Sequence, residues 1–345
     1  MAQFESGTPA PRIGKIKGDI LAHAVASEVL GITGQQRALP KNQSKTIVHR
    51  RYLPWGAANT DWNTRNRPQA NPVAHELTEG VTPGADTLVP QDIRVTLKQY
   101  GCLYQLTDQT VDTYEDDVPA EMKKQCGERI ALVREMIRYG VLKACTNVFY
   151  AGGGASRAAV NAKISLNLLR KISRNLQANH AKRITGILSP SAMIATKPVE
   201  ASYLVFVHTD AEADIRDLPG FTHVSAYGSR KPVHTQEIGS CENFRFITSA
   251  ELAPYAGAGA AIGSTGLTGA TNVDVYPFIM VGEDAWGQLA LRGSDSIDPT
   301  YIPPGVKDKS DPLGQRGYVG AKFYMACTML NEGWMAVAEA GVTAL

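Results

Sequence analysis

Met122, Cys126, Ile130, Val133, Ile137, Val141, Ala144 and Val148 recur at steps of three and four. That spacing lays one continuous apolar stripe along an α-helix. Asp116 and Asp117 put acid at its start, and Pro119 falls where a first turn tolerates proline. Lys123, Lys124, Glu128, Arg134, Glu135 and Arg138 fall largely off the stripe. The pattern predicts a helix over about 117–150, roughly 50 Å long at 1.5 Å per residue. That is well beyond the usual three or four turns. It is expected to end at "YAGGGAS", and a second helix is predicted over about Leu166–Ala178.

Before the helix stands "HELTEGVTPGADTLVPQDIRVTLKQYG", His75 to Gly101. Thr78–Ala85 is turn chemistry, with Gly80, Pro83 and Gly84. From Asp92 the chain alternates: Ile93, Val95 and Leu97 on one face, Arg94, Thr96 and Lys98 on the other. The phase slips at Gln99-Tyr100-Gly101 and resumes with Cys102, Tyr104 and Leu106, which points to a bulge or bend. "TIVHRRYL" upstream is a candidate partner strand. Pattern alone leaves two readings open, a long thin β-arm and an ordinary surface hairpin.

Residues 1–74 read as an extended arm. Asp19–Gly31 is predicted as one short helix, capped by Asp19 and stopped by Gly31. The rest, including "GAANTDWNTRNRPQANP", has too few apolar residues for a core of its own. Such an arm needs a surface to lie on, for which another subunit is a candidate.

From Arg183 the elements are short and mixed. "YLVFVH" reads as a buried strand, "DAEADIRDLPG" as a short helix, and "NFRFIT" and "VYPFIMVG" as strands. Pro254–Thr271 reads as a flexible loop by composition. The tail from Ala321 reads as two strand runs joined by a turn at Asn331-Glu332-Gly333.

Chemistry is sparse. "AGGGAS" (Ala151–Ser156) is read as following a helix, whereas a phosphate-cradling loop follows a strand and opens one. His208 and Asp210 are expected to be structural, and the His49-Arg50-Arg51 cluster a solvated part of the arm. No catalytic residue, metal site or cofactor is expected. Five cysteines without a CxxC pair read as buried or reduced thiols. A net charge of +2, from 35 basic and 33 acidic residues, argues against a dedicated nucleic-acid binder. No apolar run approaches the ~20 residues of a membrane helix.

The order of parts and nine short motifs resemble the major capsid protein of tailed bacteriophages, the Hong Kong 97-type fold, in the branch typified by coliphage N-four. The motifs are "RRYLP", "LTEGVTP", "TLKQYG" with "LTD", "TNVFYAGG" with "SRAAVN", "DIRDLPGF", "YGS" and "EIG", in order from Arg50 onward. The resemblance implies an α+β chain with an N-arm (1–74), an E-loop (75–105), a P-domain (106–182) with its spine helix, an A-domain (183–318) and returning C-terminal strands (319–345). It implies a homo-oligomer of hexamers and pentamers forming the icosahedral shell of a virion. The shell would enclose double-stranded DNA, held weakly and non-specifically, with a portal at one vertex and a cement protein as a candidate. Because the arm follows directly on Met1, a separate scaffolding protein is expected. Glu79, Val81, Ile93, Val95, Leu97 and Lys98 would make intersubunit contacts. Lys98 lies in the region of a cross-link known in the fold's namesake, but nothing identifies an acceptor. The alternative is the shell protein of an encapsulin-type nanocompartment.

Overall fold

Asp117 opens the long helix, its carboxylate accepting from the Ala120 N–H at 3.3 Å, one of the donors a helix start leaves free. The helix spans Val118–Leu142, 25 residues, or about 37 Å. It is shorter than the stripe predicts. Its last turn tightens, with the Cys145 N–H on the Leu142 carbonyl at 3.3 Å. Asn147 then leads the chain away, donating from its side chain to the Met335 carbonyl at 2.8 Å. Val148–Tyr150 is strand β5, not helix. The computed structural model describes residues 28–39, 44–53, 72–113, 117–184, 200–228, 231–263, 266–291, 297–307, 309 and 311–345. The helix expected over Asp19–Gly31 lies outside them except at its end, where a 3-10 turn, Leu30–Ile32, runs through Gly31.

The buried face of the helix also departs from the stripe. Met122, Cys126 and Ile130 are buried as expected, but so are Arg134, Glu135 and Arg138, while Ala144 is exposed. Two different cores cause this. The first half packs Cys126 and Ile130 on Ala321, Phe323 and Met325. The second half turns Tyr139 and Leu142 into another core with Val29, Leu30, Leu204 and Trp286.

The first core belongs to a five-stranded sheet built around β13 (Arg316–Met329). One edge of β13 pairs antiparallel with β4 (Lys98–Thr107). Its other edge takes β12 (Asp298–Ile302) and then β11 (Trp286–Leu291). β1 (Gln35–Leu39) adds in parallel to β11. The expected phase of β4 holds: Tyr100, Cys102, Tyr104 and Leu106 turn inward while Leu103 is exposed.

The second sheet has seven strands in the order β5-β14-β10-β6-β9-β8-β7. They are β14 (Met335–Ala340), β10 (Tyr276–Val281), β6 (Tyr203–His208), β9 (Phe244–Ser249), β8 (Glu237–Cys241) and β7 (Thr222–His223). Tyr203, Val205 and Val207 face Leu169, Ile172 and Leu176 of the second helix, Leu166–Ala178. Leu204 and Phe206 face the long helix. A strand covered on both faces reads as an unbroken apolar run, which is why "YLVFVH" lacks alternation.

Three expectations change in this region. The two C-terminal runs are not a hairpin, because β13 and β14 belong to different sheets and the 3-10 turn Glu332–Trp334 carries the chain between them. Segment 183–318 contributes strands to both sheets, β11 and β12 to the first and β6 to β10 to the second. The described residues of Pro254–Thr271 are fastened rather than loose: Tyr255 bridges to Val275, Ala261 to Asn272 and Leu267 to Thr343. "AGGGAS" follows β5 rather than a helix; one 3-10 turn lies inside it and another, not an α-helix N-terminus, follows it. Gly152 is required there, since its φ is 80° and a Cβ would stand 2.2 Å from Asn161 Oδ1.

Candidate interaction site: an exposed arm on a clamped base

Two strands outside the main sheets form a ribbon. β2 (Thr46–Tyr52) pairs antiparallel with β3 (Pro90–Thr96), from Thr46 opposite Thr96 to Tyr52 opposite Pro90. "TIVHRRYL" is therefore the partner strand. Period-two alternation gives the ribbon two faces. On the inner face Ile47, Ile93 and Val95, with Leu97 beyond the strand end, pack on Leu39, Leu289 and Ala326. On the outer face Val48 and Tyr52 stay exposed.

Beyond the ribbon the chain makes its excursion. Pro72–His75 is a 3-10 turn, and from Glu76 to Val89 there is no regular structure. Every residue from His75 to Leu88 is exposed, the apolar Val81 and Leu88 to 63% and 78%. The predicted contact residues thus divide. Glu79 and Val81 stand on the exposed tip and Lys98 is exposed at the start of β4. Val95 and Leu97 are buried in their own chain, and Ile93 is partly so. These three find apolar partners within their own chain, because the ribbon lies against β1 and β11 instead of standing clear.

The basic cluster is also committed locally. Arg50 donates to both carboxylate oxygens of Asp92, at 2.7 and 2.9 Å. This pair holds the Arg50 guanidinium raised and the Asp92 carboxyl below the usual carboxylate range. Arg51 donates to Gln91 Oε1 at 2.8 Å and to the Leu330 carbonyl at 3.2 Å, tying the ribbon to the turn between the sheets. His49 is buried, and its Nε2 has no hydrogen-bond partner among the described residues. Burial, then the charge of Arg37, lowers its imidazole below the usual 6.5.

The base is clamped by charges. Glu28 lies 2.6 Å from Arg138 Nη1 and 3.0 Å from Arg134 Nη1. Glu135 accepts the backbone N–H groups of Val29 and Leu30, at 3.2 and 2.8 Å. Arg138 donates from Nε to Gln288 Oε1 on β11 at 3.0 Å. Burial alone would pull the Arg138 guanidinium down; Glu28 first and Glu135 next outweigh it and leave it raised. Trp286 completes the clamp, donating to Thr33 Oγ1 at 3.1 Å. Gly34 passes over its ring at φ 103°, where a Cβ would sit 2.6 Å away. The stripe missed this cluster. The signal was a second helix face, Gly127, Ala131, Tyr139 and Leu142, on which Glu135 and Arg138 fall.

His208 and Asp210 are tied into the sheet: the Asp210 N–H donates to His208 Nδ1 at 3.2 Å and Tyr276 Oη to Asp210 Oδ2 at 2.9 Å. No group of three or more metal-ligating side chains occurs among the described residues. No described helix is long and apolar enough to cross a membrane.

No protein-family model matches the chain. It is similar to the major capsid protein of Pseudomonas phage KPP21, 21% identical over 262 residues, covering 70% of this chain. The match spans 65% of that relative's length. Among solved structures it is similar to the capsid of Ralstonia phage GP4, TM-score 0.61 at 10% identity, covering 90% of this chain and 87% of that one. The head of Helicobacter pylori bacteriophage KHP40 matches at TM-score 0.60 and 12% identity, covering 99% and 95%. The capsid of cyanophage Pam1 matches at 0.58 and 12%, covering 100% and 97%. At these identities the likeness is one of fold: the chain has the α+β, Hong Kong 97-type architecture of these capsids.

Proposed function

We propose that this chain is a major capsid protein of a tailed bacteriophage, a structural subunit that assembles with its own copies into the icosahedral head around double-stranded DNA. One observation carries the reading: an exposed, irregular stretch with apolar side chains, 76–89, held out on a ribbon whose base is buried and clamped. Exposed apolar groups on a fixed support gain burial from a partner. In a fold shared with phage capsids, the partner is a neighbouring copy. The relatives cited are all of phage origin, which favours a phage head over a nanocompartment shell. The branch typified by coliphage N-four rests on the motif order alone. Hexamers and pentamers, a portal vertex, a separate scaffolding protein and a cement protein belong to the same reading. So does weak, non-specific DNA contact, which the local engagement of Arg50 and Arg51 supports.

The test is electron microscopy of the chain expressed alone and beside the neighbouring genes of its genome, with a variant in which a short turn replaces Glu79–Pro90. Closed shells or hexameric capsomers are expected from the whole chain. The variant should keep its circular dichroism and melting temperature but form no stable shell. A whole chain that stays monomeric in both settings overturns the reading; normal shells from the variant overturn the role of the arm.

A further inference from the structure

Cys102 on β4 and Cys126 on the long helix face each other across the first core. Their Sγ atoms stand 2.9 Å apart, and both thiols are free. A disulfide bond is about 2.05 Å long, so less than an ångström of approach separates the pair from bonding. Both supports are rigid. β4 is paired along its length with β13, where Cys102 lies opposite Ala321, and Cys126 sits inside the helix against Ile130 and Phe323. The pair is asymmetric, since Cys102 is partly exposed and Cys126 fully buried.

We propose that Cys102 and Cys126 are a peroxide-oxidisable dithiol that closes to an intrachain disulfide and staples the inner end of the arm to the long helix. The hydrogen bond from the Cys126 thiol lowers the Cys102 thiol to about 7, against the opposing effect of burial; the Ala321 N–H and the Arg129 charge add to it. Cys102 is thus the reactive thiolate and Cys126 the protected, resolving thiol. The Cys102 thiolate attacks one oxygen of hydrogen peroxide, the O–O bond breaks, and hydroxide leaves to become water. The Cys126 sulfur then attacks the resulting sulfenic acid. The S–S bond forms, the S–O bond breaks, and a second water leaves with the Cys126 proton. Two thiols lose two electrons in total and one peroxide becomes two waters. A reducing cytoplasm keeps the pair open and an oxidising medium closes it. The inference does not depend on the shell reading, because the chemistry is confined to one chain.

The experiment treats the purified full chain with hydrogen peroxide, unfolds it in an alkylating reagent and maps the peptides by mass spectrometry. Two of the five thiols, Cys102 and Cys126, should escape alkylation and appear as one bridged peptide pair, cleaved by a reductant. In C126S the bridge should be absent and a sulfenic-acid trap should label Cys102. The bridged chain should melt several degrees above the reduced one. Full alkylation of both cysteines after peroxide, or over-oxidation of Cys102 without a bridge, overturns the proposal. A bridge that leaves the melting temperature unchanged overturns its role as a staple.

Discussion

Arg138 is almost wholly buried, so its energetic role is set by what would be left without it. Glu28 and Glu135 would then face each other as buried carboxylates with one cation fewer. Removing one partner of a buried pair costs about 3–5 kcal/mol, because the other charge stays desolvated. Arg138→Met should lose about that much in urea unfolding, although the volumes are similar. A loss under about 1 kcal/mol would show that the clamp is weakly coupled to the fold. His49 makes a pH prediction. Its folded pKa lies below its unfolded value near 6.5. A histidine depressed in this way contributes stability that is present above the unfolded pKa and lost as pH falls towards the folded one. Below about pH 6.5 the wild type should therefore lose stability relative to His49→Leu, and hydrogen exchange should show β2 opening first. Parallel melting curves for the two proteins from pH 7.5 to 5 would rule this out.

At the scale of the element, the arm has a structural base and a free tip, and substitutions should separate them. Leu97 is buried against Leu39 and Leu289, so Leu97→Ala should cost about 2–5 kcal/mol of chain stability. Val81 is 63% exposed and has little packing to lose among the described residues, so Val81→Asp should change stability by no more than about 0.5 kcal/mol while it weakens association between copies. Urea unfolding beside sedimentation of the assembled material distinguishes the two effects. Which parts of this were legible follows from periodicity. The ribbon and the second helix repeat at their own periods, the buried strands show as short unbroken apolar runs, and Leu166–Ala178 lies where its pattern puts it. The long helix was mis-ended because Val141, Ala144 and Val148 keep the step of three and four across a turn held by bonds between Asn147 and both Met335 and Val337, far apart in sequence. The clamp was invisible for a related reason. An arginine on a helix reads as solvated unless its distant partners, here Glu28 and Gln288, are known. Sheet membership of β13 and β14 cannot be read from a turn motif, since a three-residue turn serves a hairpin and a sheet switch equally well.

Among the described residues the two main sheets share the long helix, and residues 28–34 pack against the helix and β11 beside both. β14, β10 and β6 are inner strands of the seven-stranded sheet and are covered on both faces, so they should open only with global unfolding. The ribbon has a single buried face and should open sooner. Residues 76–88 make few backbone hydrogen bonds and bury no apolar side chain, so in the free chain their amides should exchange almost without protection. A gradient of this kind suits a subunit that must fold before it assembles. On the proposed function, the cores hold the body while the tip stays available, and burying Val81 and Leu88 between copies would contribute about 25 cal/mol per Å² of apolar surface before ordering costs. Hydrogen exchange with mass spectrometry on free subunits and on assembled material tests the division. Protection should rise on assembly chiefly over 76–88 and stay nearly constant over β6, β10 and β14. Strong protection of 76–88 in the free subunit would mean that the stretch packs on its own body, and no gain on assembly would mean that other surfaces join the copies.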